Sequence, residues 1–320
     1  MKRISLLAAS LALTIGGFAQ TSSNCSTCEE APNLIKTNQN YDKALWDIQL
    51  DVNPTTAFSP ATGLAGAAWT GTEMWVTKWA NNALYTANAS GVMTGTFTVP
   101  GVTGARSITT DGTDMYIGTA ATQIYRVHKT TKALLGTINT SVPNCRYVCY
   151  DPTLNSNAGG FWVGQYATAI TAVSMTGATL STIAPGTHGL TGIYGLAYDP
   201  YSTGGPFLWA FDQGGNGADI VQLTMTGTPT GLVHDATLDL QGGNAGIAGG
   251  LFICNNFVTG KNSMIGMCQG ASLFSYDLAD PLAIDVKMDA LTVGQYAAAG
   301  NVNITGTIRN TGLNLSLIHI

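Results

Sequence analysis

Short runs of apolar residues, each ended by turn residues, follow one another along most of the chain. The clearest stretch is Leu64–Pro100, where Thr-Gly, Asn-Asn and Ser-Gly turns separate the apolar runs Leu64–Trp69, Met74–Thr77, Leu84–Thr86 and Met93–Val99. Apolar runs of this length between turn signals are typical of β-strands. Four strands in about forty residues is the size of one propeller blade. The stretch therefore predicts one four-stranded antiparallel sheet.

The same order of strands and turns recurs along the chain. Further copies lie in Ala105–Val142, Arg146–Ile183 and Ile193–Leu240, and a fifth begins at Gly246. The fifth copy is irregular through Met267 and has no fourth strand before Asp280. Repeats of this period are typical of propellers, in which each copy forms one blade. We therefore predict an all-β, five-bladed β-propeller over residues 44–280.

A lone strand before the first copy fits the missing position in the fifth. Residues Ala44–Val52 alternate apolar and polar side chains, as a half-buried strand does. A ring of blades closes when one blade combines strands from both ends of the chain. We expect this N-terminal strand to close the propeller.

The pattern changes after the fifth copy. Residues 281–320 contain long alternating runs and an Asn-Thr-Gly turn, which is the pattern expected at the start of an immunoglobulin-like β-sandwich. A sandwich of that class needs roughly a hundred residues. The segment therefore predicts the truncated opening of a second domain of adhesion type.

These segments together resemble a known group of proteins. The runs WDIQLDV, IYGLAYDPYSTGGPFLWAFDQGGNGADIVQL and AGIAGGLFI, in this order, are similar to secreted surface propeller proteins that carry immunoglobulin-like or fibronectin-like repeats and a type IX secretion sorting signal. The resemblance covers nearly all of residues 44–320. It implies export and attachment to the cell surface, and it implies little chemistry.

The N-terminus agrees with export. Residues 1–19 combine a Lys-Arg start, an apolar run from Ile4 to Ile15 and small residues at Gly17 and Ala19, which is the pattern of a secretory signal peptide. No later run approaches the roughly 18 apolar residues that a membrane span needs. The formal net charge is −5 and the 13 Lys and Arg residues are thinly spread, so we expect no nucleic-acid partner. The predicted location is extracellular or at the cell surface.

The six cysteines suit an oxidising compartment but leave their pairing open. Cys25 and Cys28 lie in the polar linker of residues 20–43, where a C-x-x-C spacing suits a local disulfide, a redox motif or half of a metal site. Cys254 and Cys268 would form a disulfide if the loop between them folds back.

Candidate binding residues lie in the loops expected at one mouth of the central channel. These are the loops before each first strand and those between second and third strands. Aromatic planes beside amide, carboxylate and guanidinium groups suit a glycan or a peptide, and the alternative is that they pack between blades and cap loops. The binding residues predicted are Lys78, Trp79, Asn81, Arg106, Arg146, Gln165, Tyr166, Asp212 and Gln213, with His188, Tyr194 and Asn244 in the same loops.

Asp111, Asp151 and Asp199 each end a first strand and begin a turn. Three carboxylates around an axis would suit calcium. Asp before Gly or Pro is also ordinary turn chemistry, because its side chain caps the backbone two residues on. The turn interpretation explains every copy, so we expect no metal and no cofactor.

Three functional hypotheses remain. The leading one is a non-enzymatic binding or structural module. A propeller hydrolase of glycosidase type would need paired carboxylates; the three glutamates lie in the tail or in a turn at the other end of the sheets, which leaves Asp212 or Asp219 as candidates. The third is a purely architectural spacer, whose channel would be filled by side chains.

Overall fold

A computed structural model describes residues 45–58, 62–215, 217–240 and 247–279, and the backbone of residues 286–292 and 305–310. The predicted signal peptide, the linker with Cys25 and Cys28, and Asn244 lie outside these residues. Contacts divide the chain into two units, of which Trp46–Ala279 is one.

That unit is an all-β propeller of five four-stranded antiparallel sheets. Each of the first four sheets uses consecutive strands in the order in which they occur along the chain. The first sheet contains β2 (Leu64–Trp69), β3 (Met74–Lys78), β4 (Ala83–Ala87) and β5 (Met93–Thr98). The second contains β6 (Ala105–Thr110), β7 (Asp114–Thr119), β8 (Gln123–His128) and β9 (Leu134–Asn139).

The third and fourth sheets repeat this plan. The third contains β10 (Tyr147–Asp151), β11 (Gly160–Gly164), β12 (Ile170–Ser174) and β13 (Thr179–Ile183). The fourth contains β14 (Ile193–Asp199), β15 (Phe207–Asp212), β16 (Asp219–Thr224) and β17 (Pro229–Asp235). Short helical turns lie between strands at α1 (Pro54–Ala57), α2 (Leu154–Asn157), α3 (Pro185–His188) and a 3-10 turn (Ala236–Leu238).

The fifth sheet draws its strands from both ends of the unit. It contains β18 (Ala248–Cys254), β19 (Ser263–Cys268) and β20 (Ser272–Asp277), and β20 pairs antiparallel with β1 (Ile48–Val52). The Ser272 and Ser275 hydroxyls donate to the side chains of Asp51 and Gln49 across this pair, at 2.6 and 2.9 Å. The segment that appeared irregular in sequence is thus the regular strand β19.

Burial follows the position of each strand in its sheet. All six residues of β2 and all five of β3 are buried, whereas β5 and β9 alternate between half-buried and exposed residues. The first two strands of the first sheet therefore pack on both faces, whereas the fourth strands β5, β9, β13 and β17 are the most exposed strands of their sheets, as expected for blades stacked around an axis.

The aspartates at the ends of the first strands bind the turns that follow them. The Asp151 and Asp199 carboxylates accept backbone hydrogen bonds from residues two positions on, at 2.8 and 2.9 Å. Each also accepts a bond from a second-strand indole, Trp162 Nε1 or Trp209 Nε1, at 2.9 Å. Asp111 repeats the arrangement with the Tyr116 hydroxyl at 2.7 Å. The interpretation of these aspartates as turn residues is confirmed.

The structure excludes the Cys254–Cys268 disulfide that the sequence had left open. Cys254 pairs in register with Ser263, while Cys268 pairs with Ala248, so the two cysteines lie at opposite ends of the β18–β19 pair. Both thiols are free, as are Cys145 and Cys149. Strands rise about 3.3 Å per residue, so the gap far exceeds the reach of a disulfide.

The other unit includes residues 280–320, where two strands are described. Strands β21 (Val286–Thr292) and β22 (Thr305–Asn310) form an antiparallel pair. Two strands are compatible with many β folds, so the immunoglobulin-like sandwich stays a prediction. In the described part of the chain, no helix has the length and apolar character needed to cross a bilayer.

Candidate functional site

The predicted binding loops lie at one end of the sheets. Ala105, at the start of β6, pairs with Thr119, at the end of β7, and Leu64 pairs likewise with Lys78. Loops before first strands therefore lie beside loops between second and third strands. We call this end of the propeller the front face, and the end that carries the Asp111, Asp151 and Asp199 turns the back face.

Trp79 and Arg106 join the first two blades on the front face. The Trp79 side chain is 43% exposed, and its backbone N–H donates to the Gly63 carbonyl at 2.8 Å. The Thr77 hydroxyl donates to the Arg106 carbonyl at 3.3 Å, which holds the start of β6 against β3. The Arg106 guanidinium carbon lies 5.1 Å from the centroid of the Trp79 ring. This geometry is a cation–π contact between neighbouring blades.

A second such contact involves Arg146, Tyr166 and Tyr194. The Arg146 guanidinium carbon lies 4.5 Å from the Tyr166 centroid and 5.8 Å from the Tyr194 centroid. The two tyrosine rings meet edge to face, with their centroids 5.1 Å apart. The Arg146 N–H donates to the Gly164 carbonyl at 3.0 Å, which positions it beside its own blade's second strand. Blades three and four thus share one arginine and two aromatic rings.

The backbone of Tyr166 is in an uncommon conformation. Its φ is 45°, which lies in the left-handed region that bulky residues rarely adopt. Two hydrogen bonds with Ile193 hold it there, from Tyr166 N to Ile193 O at 2.9 Å and in the reverse direction at 3.2 Å. Such strain clusters at sites where a side chain must point in one direction. Here it directs the Tyr166 ring toward Arg146.

The electrostatics of this cluster are cationic. Burial lowers the pKa of Arg106, and the nearby positive charge of Arg146 lowers it further. Burial also raises the pKa of Tyr194, with a further rise from Tyr166. The Nε atoms of both arginines are buried and lack a hydrogen-bond acceptor among the described residues. Within the same residues, neither arginine forms an ion pair with a carboxylate.

Other predicted binding residues serve the scaffold. The Lys78 amine approaches the Tyr85 hydroxyl at 3.4 Å and is buried. Asn81 Oδ1 accepts from Ala83 N at 2.9 Å, which caps its own turn. The buried Asp212 accepts from Gly192 N at 2.6 Å, which ties two loops of the fourth blade together.

The two glutamines lie at the edge of the cluster. Gln165 bonds to Thr168 through its backbone, and its side chain faces a cavity of about 270 Å3 between Ser141–Asn144 and β13. Gln213 donates its N–H to Gly192 O at 2.7 Å, and its buried Oε1 has no partner among the described residues.

His188 is a structural residue of α3. Its Nδ1 accepts from Leu190 N at 3.1 Å, so Nε2 carries the proton that faces the Thr168 carbonyl at 3.2 Å. Burial lowers its pKa, which favours this neutral form.

The back face contains a cavity that the sequence did not indicate. Its volume is about 200 Å3, and it lies among the last residues of the first strands of four blades. The aromatic rings that line it are Tyr150, Tyr198, Tyr201 and Phe252. The nearest repeated aspartate, Asp111, is already bonded to its turn and to Tyr116. Among the described residues, no group of three or more His, Cys, Asp or Glu side chains is arranged to hold a metal ion.

Comparisons with known proteins do not identify a family for this chain. No protein-family model and no curated protein matches the chain. Among solved structures, the chain is similar to the crystal structure of Myxococcus xanthus glutaminyl cyclase, with 15% sequence identity and a TM-score of 0.46 over 65% of this chain and 88% of that one. Likeness of this degree carries no argument about what the chain binds or catalyses.

Proposed function

We propose that the propeller is a non-enzymatic binding module that recognises a glycan or a peptide at its front face. The observation that carries the proposal is the pairing of each guanidinium with an aromatic ring, Arg106 with Trp79 and Arg146 with Tyr166. Trp79 is exposed and Tyr166 is half-buried, and aromatic rings that solvent reaches beside hydrogen-bond donors suit a ligand with an apolar face and a polar rim.

The alternative that these aromatic rings only pack neighbouring blades together does not explain the exposure of Trp79. A ring that served only to pack blades together would be covered, as Trp75 and Trp209 are. Trp79 is instead 43% exposed, although it contacts the next blade. The exposed part of its ring offers a ligand an apolar surface next to the Arg106 guanidinium.

A binding screen tests the proposal directly. The full chain is applied to glycan and peptide arrays, and we expect saturable binding to at least one ligand class. Trp79→Ala and Tyr166→Ala should each weaken that binding by roughly tenfold or more, since stacking on an aromatic ring contributes about 1–3 kcal/mol. Tyr201→Ala is the matched control, because Tyr201 is 38% exposed and lines the back-face cavity. Binding that survives both front-face changes, or no binding to any ligand, contradicts the proposal.

A hydrolase is the second candidate function, and one observation favours it. Asp212 and Asp219 are direct cross-strand partners at the front end of β15 and β16. Paired carboxylates are what a glycosidase needs. Asp212 is already bonded to Gly192 N, which favours a scaffold role. Turnover of a polysaccharide that disappears in Asp219→Asn would support the hydrolase.

We also propose that the protein is exported and acts outside the cell or at its surface, as a type IX secretion propeller with an immunoglobulin-like continuation. The signal-peptide pattern of residues 1–19 and the alternating runs of residues 281–320 support this. In this proposal the β1–β20 pair closes the ring. Detection of the protein in the culture medium or on intact cells, with residues 1–19 removed, tests it.

A further inference from the structure

The proposed binding site contains two arginines, Arg106 and Arg146, and neither forms an ion pair with a carboxylate among the described residues. The charged and titratable groups that face Arg106 are Arg146, Tyr166 and Tyr194. The same arginines form no ion pair within the described residues, whereas Arg126 and Lys261 pair with Asp114 and Asp277. Arg146 also disfavours the charge of Arg106, so an anionic ligand group that contacts both arginines would relieve this repulsion.

Both guanidiniums lie close to an aromatic ring, and the Nε–H group of each has no acceptor among the described residues. A guanidinium that lies over a ring uses its face for the contact, while its five N–H groups lie in its plane. Arg106 lies 5.1 Å from the Trp79 centroid and Arg146 lies 4.5 Å from the Tyr166 centroid. Such preorientated edges match a carboxylate or sulfate, which accepts two parallel N–H bonds.

We propose that the front face recognises an acidic saccharide, with its carboxylate or sulfate group bound by Arg106 and Arg146 and a sugar ring stacked on Trp79 or Tyr166. This inference rests on the proposed binding function and specifies its ligand class.

The backbone of the front face favours a saccharide over a peptide. An extended peptide binds by adding a strand to free N–H and C=O groups. Here the loop backbones already bond to each other, as Trp79 N does to Gly63 O, Tyr166 N to Ile193 O and Gln213 N to Gly192 O. What these loops still offer is ring surface and guanidinium edges, which suit a pyranose ring with an acidic substituent.

The test uses matched pairs of saccharides on the full chain. Oligogalacturonate is compared with its methyl ester, and sulfated dextran oligosaccharide with the unsulfated form, by titration calorimetry at low and at physiological salt. We expect at least one acidic member to bind tenfold or more tightly than its neutral partner, with the preference reduced by salt. The two pairs distinguish a carboxylate from a sulfate. An acidic peptide, triglutamate, should bind more weakly than the preferred saccharide.

Arginine variants test which residues cause the preference for acidic over neutral saccharides. Arg106→Gln and Arg146→Gln should each reduce the acidic preference about tenfold, the loss expected when one charge-assisted hydrogen-bonded contact is removed. Binding of the neutral partner and the unfolding midpoint should change little. Lys129→Gln removes one positive charge at the back face, where the Lys129 amine bonds to the Gly112 carbonyl, and should leave the preference unchanged.

The outcomes separate this inference from the function on which it rests. Equal binding of acidic and neutral partners, a preference that survives both arginine changes, or triglutamate binding as tightly as the saccharide would overturn the inference while binding itself stands. Absence of binding to any saccharide or peptide would overturn the proposed function, and the inference with it.

Discussion

The carboxylate of Asp199 should be one of the most sensitive points of the propeller. Its Oδ1 accepts from Tyr201 N at 2.9 Å and from Ser202 N at 3.2 Å, and its Oδ2 accepts from the Ser202 hydroxyl at 2.6 Å and from Trp209 Nε1 at 2.9 Å. Asp199 is fully buried, and Trp209 is 1% exposed. Replacing Asp199 by Asn keeps the size of the side chain but puts an amide nitrogen where one acceptor oxygen was.

The loss of stability in Asp199→Asn depends on which of the present hydrogen-bond donors can also accept a bond. The Ser202 hydroxyl can turn and accept a bond from the new amide, but an indole N–H only donates. Trp209 Nε1 would then lose its acceptor, which costs about 1–3 kcal/mol for a buried donor, and the remaining bonds lose their charge assistance. We expect Asp199→Asn to lower the free energy of unfolding by about 3 kcal/mol. For a unit of this size, that is a fall in Tm of roughly 6–12 °C.

The matched control is Asp111→Asn in the second blade. Asp111 caps its turn in the same way, but its aromatic partner is the Tyr116 hydroxyl, which can accept a bond as well as donate one. We therefore expect a loss of only about 1 kcal/mol. Urea unfolding followed by tryptophan fluorescence measures both. Equal losses in the two variants, or no loss in Asp199→Asn, would refute the reasoning.

Two further predictions concern packing and thiol chemistry. Gly249→Ala should destabilise the propeller by about 1–3 kcal/mol or prevent folding, because the new Cβ would collide with the backbone carbonyls of Ala65 and Met267. Gly186 has open space around it, so Gly186→Ala should leave the stability unchanged. The midpoints of urea unfolding of the two variants and the unmodified protein test this. Burial raises the pKa of Cys254 to about 11 and of Cys268 to about 12, so both are neutral thiols at pH 8. Iodoacetamide reacts with thiolates, so it should modify neither cysteine until the protein unfolds. Mass mapping of peptides from the treated native and unfolded protein measures the modification. Modification of the native protein at either residue would contradict their burial.

Much of the fold is readable from the sequence because the turns are explicit. The turn after β2 uses Thr70, and those after β6, β10 and β14 use Asp, so the first strands of the first four sheets have marked ends. The sequence of the fifth copy has no such marker and did not reveal strand β19 (Ser263–Cys268), which left a disulfide between Cys254 and Cys268 open. Pairing across the sheet, which separates these thiols, is not encoded locally.

The sequence predicted which residues belong to the site, but it did not predict which residues they contact. Comparison of the repeated copies places Trp79 and Tyr166 at matching positions just after a second strand, and Arg106 and Arg146 in the loops before first strands. Arg106 contacts the ring of the preceding blade, whereas Arg146 contacts its own blade and the next. That choice depends on how neighbouring blades are twisted against each other, and on the left-handed backbone of Tyr166, which no local sequence signal indicates.

The pairing of β1 with β20 has a consequence for how the chain is made. Ser272 and Asp51, which meet across this pair, are 221 positions apart in sequence. A ribosome must therefore synthesise almost all of residues 46–279 before β1 can pair with its partner strand. Contacts this distant in sequence slow folding, because closing so long a loop of chain costs conformational entropy before the contacts form. Until β20 has been made, β1 has no strand to pair with in the fifth sheet.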